Sequence, residues 1–360
     1  LHTAYRRQRQ MCIRDRVSMD NCARNGEKLR AGVLSMARDW AERGLVESAF
    51  LDWLEDEGRV SFPWSMIDKI TPHPSERVQE ELGRLGVADM AIARTNTGTL
   101  IAPFVNAEIT EYLVLEDAFP NGRPALEGAG VYLTDRTTVE KAEKMKVGTC
   151  LNPLHTALAV YGCLLGYTSI AAEMGDADLK ALVEHIAAES LPVVEDPGIL
   201  SPRAFIDEVL HERFPNPAIP DTPQRIAADT SQKLPVRYGG TLRRYARQSE
   251  QALAGLEFAP LVFAGWCRYL LGVDDRGNAM PVSPDPMLPQ LQAHLKGIEV
   301  GRPDSLAGQL RPILSNAALF GVDLYAAGLG ERTEEMFRDM LAGPGAVRAT
   351  LHRNCACKQP

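Results

Sequence analysis

The densest group of residues able to do chemistry is KMKVGTCLNPLHTALAVYGCLLGY, residues 144–167, where lysines, an asparagine and a histidine lead into an otherwise apolar run. An ammonium can give or take a proton, and an amide can donate to an oxygen that gains negative charge. Asn152 and His155 are three apart and share a helix face. Lys146 lies six residues before Asn152, about 240° away on an ideal helix, so it converges with them only if the helix starts or is irregular between Gly148 and Asn152. Lys144 fits a straight helix better. The same residues also read as a capped helix start followed by a satisfied core histidine, and spacing alone leaves both readings open.

Two further groups stand out. Arg225, Asp229 and Lys233 are spaced by four, which predicts one helical stripe behind a Thr222 cap and Pro223 in the first turn. That stripe is either an exposed ion-pair ladder or a binding face. Asp68 in SMIDKITP either pairs with Lys69, caps a turn or serves a site. The remaining histidines, 73, 185, 211, 294 and 352, show no ligand spacing and read as surface or core.

The elements that must position these groups are legible in outline. VSMDN (17–21) reads as the end of a buried strand, and residues 26–42 carry Leu29, Val33, Leu34, Met36, Ala37 and Trp40 at helical spacing. Residues 59–72 begin extended, with Pro63 and Pro72 barring a continuous helix; 75–85 predict a short helix capped by Ser75. Tyr112–Leu115 is rich in β-formers and FPNGRP (119–124) supplies a turn. Short strands alternating with helices predict an α/β layer over roughly residues 17–135. After Thr137 long helical periodicities joined by proline-rich turns predict an all-helical domain, with the boundary at 136–140. We divide the chain at 17–138 and 139–360.

Composition bounds the function. The 360 residues allow two domains, and 45% hydrophobic with 24% charged residues is the balance of a folded globular chain. A formal charge of −8 offers no global positive field for nucleic acid or an anionic membrane. Seven scattered cysteines without zinc-ligand spacing predict reduced thiols, hence a cytoplasmic protein. The most apolar stretches, 157–167 and 258–267, are too short to span a bilayer and read as core helices. The first sixteen residues hold five arginines against one aspartate and match nothing that follows; MCIRDR resembles translated adapter sequence, so residues 1–16 are set aside as a non-native leader rather than a basic arm.

KVGTCLNPLHTALAVYGCLLGY, together with SMDNCARNGEKL (18–29), FPWSMIDKITP (62–72), EYLVLEDAFPNGRP (111–124) and DTPQRIAADTSQK (221–233), closely resembles the long-chain mannitol dehydrogenase family, and most of all its fructuronate reductase branch. The resemblance runs from Val17 to about His352. It implies α/β plus all-α architecture: a Rossmann-like domain, here partial, followed by a mostly helical domain. It implies metal-independent, NAD-dependent reduction of D-fructuronate to D-mannonate, with a sugar acid or polyol as the small-molecule partner. Mannitol 2-dehydrogenase and tagaturonate reductase are the alternatives within the family. By resemblance the catalytic lysine falls on Lys146, the two oxygen-binding asparagines on Asn21 and Asn152, and the substrate-orienting histidine on His155. Arg225 and Lys233 fall on substrate-contacting positions, and Ile67 and Asp68 fall beside the nicotinamide. The mannitol 2-dehydrogenases place four residues between this lysine and asparagine; here there are five, which keeps Lys144 as a rival.

A carbonyl that accepts hydride becomes an alkoxide, which two amides can stabilise and an ammonium can protonate. A partly desolvated lysine can be tuned for both directions. The glycine-rich turn that receives a dinucleotide pyrophosphate is not in this sequence; Gly128 and Gly130 lack the third glycine and precede a strand-like run. The expectation is therefore an N-terminally truncated chain, with a non-catalytic fragment as the alternative to an active enzyme.

Overall fold

The computed structural model describes residues 15–355. The chain divides into two compact units, one running from the first described residues to Glu143 with Pro197–Ile199, the other comprising Lys144–Asp196 and everything from Leu200. The division thus falls at the end of a helix, Arg136–Met145, that covers the expected 136–140 boundary.

In the first unit, helix α1 (Asn25–Glu42) is followed by α2 (Ser48–Glu55), and both lean on a small core of Leu34, Ala37, Leu54, Val60 and Phe62. Met36 and Trp40, which the helical spacing also flagged, are exposed. Gly26 lets the start of α1 press onto the chain ahead of the first strand, since a Cβ there would stand 2.5 Å from the Phe62 carbonyl oxygen. Strand β1 (Ser65–Asp68) follows, then α3 (Glu76–Arg84), a hairpin of two short strands, β2 (Ala93–Arg94) and β3 (Leu100–Ile101), then β4 (Tyr112–Glu116) and β5 (Tyr132–Thr134). β4 is the centre of a three-stranded sheet, antiparallel to β1 and parallel to β5, with Met66, Val114 and Leu115 buried. Gly122 takes the left-handed turn expected in FPNGRP.

Two expectations fail here. Residues 17–21 form no strand; the Ser18 carbonyl instead accepts hydrogen bonds from the Asn25 amide and the Ser65 hydroxyl, so side chains replace a ladder. Ser75 does stand at the start of α3 with extended backbone, but its side chain makes no capping bond. Most of the leader, residues 1–14, lies outside the described residues. Its last two residues are tied down: Asp15 Oδ1 accepts from Ser61 Oγ at 2.9 Å and Asn121 Nδ2 at 3.1 Å, and Arg16 N donates to Ser61 O.

The second unit is built around two helices buried on every side, as apolar residues all round a helix demand. After α4 (Arg136–Met145) comes α5 (Asn152–Leu165), in which every residue from Pro153 to Leu164 is buried. Short α6 (Ile170–Glu173), α7 (Ala177–Ser190), α8 (Pro202–Glu208), α9 (Pro223–Ile226), α10 (Thr230–Arg237), α11 (Gly239–Gln248) and α12 (Glu250–Ala254) lead to α13 (Phe258–Tyr269), wholly buried. α5 and α13 meet where Tyr161 Oη donates to the Leu261 carbonyl at 2.8 Å and Gly265 leaves room for the Tyr161 ring. The first turn of α13 is capped from α7: Glu189 accepts from the amides of Phe258 at 3.0 Å and Ala259 at 3.2 Å, a carboxylate satisfying orphan donors at a helix N-terminus. Among the described residues no helix is long and apolar enough to cross a membrane, and Cys22, Cys150, Cys163, Cys267 and Cys355 are free thiols.

Candidate functional site

Between α4 and α5 the helix is irregular, as convergence of Lys146 with Asn152 requires. Lys146–Cys150 form a π-turn, closed by the Leu151 amide donating to the Lys146 carbonyl at 3.1 Å. Leu151 then leaves helical geometry (φ −124°) before α5 begins, so the phase of an ideal helix no longer relates Lys146 to Asn152. Lys146 is buried at 2% exposure. Lys144, still on α4, keeps a side chain 47% exposed with its ammonium 3.7 Å from Glu195. The π-turn is held from α11, where Thr241 Oγ1 donates to the Gly148 carbonyl at 3.1 Å.

His155, one turn into α5, is 9% exposed and lies against the Phe214 ring with centroids 5.1 Å apart. A second π-turn, Val209–Arg213, precedes Phe214. His155 Nε2 is 3.0 Å from Asp221 Oδ2, an ion-pair distance, yet outside hydrogen-bond geometry. Burial pushes the imidazole pKa down, with Asp221 opposing the shift and Arg237 and Arg225 adding to it. Although burial works to raise it, Asp221 is held below its ordinary value by His155 and Arg225.

The predicted stripe of Arg225, Asp229 and Lys233 does not exist as one helix. Thr222 caps α9, accepting from the Arg225 amide at 3.3 Å, but α9 ends at Ile226 and Asp229 adopts a left-handed φ of 52° before α10. The ladder is absent too. Arg225 turns back to Asp221, with Nη2 2.6 Å and Nε 3.0 Å from Oδ1. Lys233 donates to the carbonyls of Ile226 at 2.9 Å and Ala228, bridging the gap between the two helices. Burial, and then neighbouring Arg237, lowers the Lys233 pKa to about 8. Arg237 in turn donates to the Asn152 carbonyl at 3.3 Å and to Thr156 Oγ1 at 2.6 Å, which fastens α10 to the head of α5. Asp221 and Arg237 escaped the sequence reading. Each sits four residues from a flagged cation, a spacing that could have found them.

In the first unit Asn21 is exposed in a bend, and the loop that carries it is fixed by Asn25. That amide is 2% exposed. It donates to the carbonyls of Ser18 (3.2 Å) and Asp20 (2.9 Å) and to Ser65 Oγ (2.8 Å), while its oxygen accepts from the amides of Gly26 (2.7 Å) and Ser65 (3.0 Å). The DN loop is thereby stitched to β1, whose far end is Ile67, half-buried, and Asp68, buried. Lys69, the neighbour considered as a partner for Asp68, pairs with Glu111 at 2.7 Å. Ile67 and Asp68, the residues expected beside a nicotinamide, stand at the end of β1, and the sequence holds no G-x-G-x-x-G motif.

Residues 138–332 match the family model of the mannitol dehydrogenase C-terminal domain. The chain is 56% identical over 337 residues to the D-mannonate oxidoreductase of Thermotoga maritima, covering 93% of this chain and 62% of that protein. It is 32% identical over 311 residues to the D-mannonate oxidoreductase of Escherichia coli, covering 86% and 57%. Among solved structures, mannitol 2-dehydrogenase of Pseudomonas fluorescens, in a ternary complex with NAD and D-mannitol, superposes with a TM-score of 0.67 at 29% identity, covering 96% of this chain and 63% of that one. The chain therefore spans about three fifths of the length of the relatives it matches.

Proposed function

This chain belongs to the mannitol dehydrogenase family, and from that premise we propose that its chemistry is NAD-dependent interconversion of D-fructuronate and D-mannonate. The observation that carries the proposal is the buried Lys146, placed by a π-turn at the head of the helix that bears Asn152 and His155. A π-turn is a one-residue insertion into an α-helix.

NAD, when bound, supplies or accepts the hydride; Ile67 and Asp68 are the residues we assign beside its nicotinamide. Lys146 gives its proton to the substrate oxygen in reduction and takes it back in oxidation. Asn152 and Asn21 donate to that oxygen as its negative charge develops. His155 orients the substrate. Arg225 and Lys233 hold the carboxylate, for which a guanidinium and an ammonium are apt. Lys233 uses two donors on backbone carbonyls and keeps a third.

The test joins this chain, from Val17, to the portion of the Thermotoga maritima relative that it does not match, and follows NADH oxidation with D-fructuronate, D-tagaturonate and D-fructose. D-Fructuronate should be the best substrate. Lys146→Ala should lower turnover on the order of 10² to 10⁴-fold and Lys144→Ala hardly at all. Equal efficiency on D-fructose would return the chain to the mannitol 2-dehydrogenases, and preference for D-tagaturonate would make it a tagaturonate reductase. Sensitivity at Lys144 instead of Lys146 would show the proton donor assigned to the wrong lysine.

A further inference from the structure

Asp221 takes no part in the proposed reaction, yet its one carboxylate touches two of the side chains given to substrate. Its backbone is pinned on both sides: Ile170 N donates to its carbonyl at 3.0 Å, and its own amide donates to Ile219 O at 2.8 Å. Its side chain is 7% exposed. Oδ1 takes both Arg225 donors and Oδ2 faces His155 Nε2. We propose that Asp221 is a positioning residue, a rigid bracket that fixes the imidazole of His155 and the guanidinium of Arg225 at a set separation for a sugar acid. The proposal rests on the reading of His155 and Arg225 as substrate contacts.

Stability alone gives a poor account of the arrangement. The Arg225 side chain is 66% exposed, and ion pairs with so exposed a partner contribute little, while desolvating the carboxylate is costly. As a bracket it makes sense. An arginine has five N–H donors in a planar fork, and Asp221 engages two of them. The others remain for a substrate carboxylate, with the fork's plane already set. On the other oxygen, Oδ2 faces His155 Nε2 at 3.0 Å, so one carboxylate sets both cation-bearing side chains. The charged and titratable groups around this bracket are Arg225 on α9, Arg237 on α10 and Glu173 on α6, the last kept neutral by burial.

Ring ¹⁵N NMR of His155 across the acid range, with calorimetric titration of D-mannonate, tests the bracket in the chain as it stands. Asp221→Asn keeps the size and removes the charge; it should lower the His155 titration midpoint and weaken D-mannonate on the order of tenfold. Arg225→Ala leaves Asp221 in place and removes a cation, so it should raise the midpoint. Opposite signs in the two variants together with weaker D-mannonate in Asp221→Asn support the bracket, whereas an aspartate that only stabilises the fold would alter thermal stability and leave D-mannonate affinity unchanged. An unchanged midpoint in Asp221→Asn overturns it; if that variant does not fold, an unchanged midpoint in Arg225→Ala does so instead. Failure of the wild-type chain to take up D-mannonate, with the midpoints shifting as expected, counts against the sugar-acid reading and not against the bracket.

Discussion

Glu173 is costly to bury in the helical unit. It is fully buried at the end of α6, neither carboxyl oxygen has a hydrogen-bond partner, and burial raises its pKa from 4.5 to about 9. The unfolded chain gives up this proton near pH 4.5, whereas the folded chain keeps it until about pH 9. Through that window the folded state binds more protons, so the contribution of Glu173 to stability falls as pH rises. Glu173→Gln should therefore melt close to wild type near pH 4.5 and above it at pH 8, by on the order of a few kcal/mol, because each tenfold change in proton affinity is worth about 1.4 kcal/mol. Scanning calorimetry at both pH values checks this, and a gap that does not widen with pH would show that Glu173 is solvated. Gly162 on α5 accommodates this carboxyl: a Cβ there would collide with it and come within 3.1 Å of Pro223. Packing of α9 onto α5, and so the position of Asp221, thus depends on a residue with no side chain.

The elements place chemistry where they are irregular. The π-turn at Lys146–Cys150 sets the lysine, the π-turn at Val209–Arg213 precedes the ring that covers His155, and the break between α9 and α10 turns a would-be stripe into two separately anchored cations. In the N-terminal unit the corresponding device is the amide of Asn25. Asn25→Ala leaves the buried Ser65 amide without its acceptor and removes the ties to the Ser18 and Asp20 carbonyls, and should destabilise that unit by about 1–3 kcal/mol, the usual cost of an unsatisfied buried group. Three of the four tryptophans, Trp40, Trp53 and Trp64, lie in this unit, so urea unfolding followed by tryptophan fluorescence in a Trp266→Phe background reads it directly. An unchanged midpoint would mean that the DN loop is not held by Asn25.

At the scale of the molecule, a chain without a glycine-rich pyrophosphate turn should bind NADH feebly, and the fusion described above should bind it at least tenfold more tightly, since phosphates are held by backbone amides at such a turn. Calorimetric titration of both proteins decides the matter; equal affinity would mean that other residues of this chain take the phosphates. The architecture was largely legible beforehand, because hydrophobic periodicity is a local property: the runs that became α1, α5 and α13, the β4 strand and the switch to an all-helical half all follow from it. So was the candidate set Lys146, Asn152 and His155, because polar residues at the head of an apolar helix are conspicuous in any sequence. Periodicity could not show that Val17–Asn21 would be held by side chains instead of a strand ladder, that Arg225 and Lys233 would lie on different helices, or that Lys146 would be enclosed while Lys144 stayed exposed. The first and last depend on partners distant in the chain, Ser65 for the DN loop and Thr241 for the π-turn, and the second on the backbone break at Asp229. Sequence alone determined which residue types were available and which helices must be buried; the tertiary structure decided which side chains share a carboxylate, because hydrogen-bond geometry is set by packing between elements and not by spacing within one.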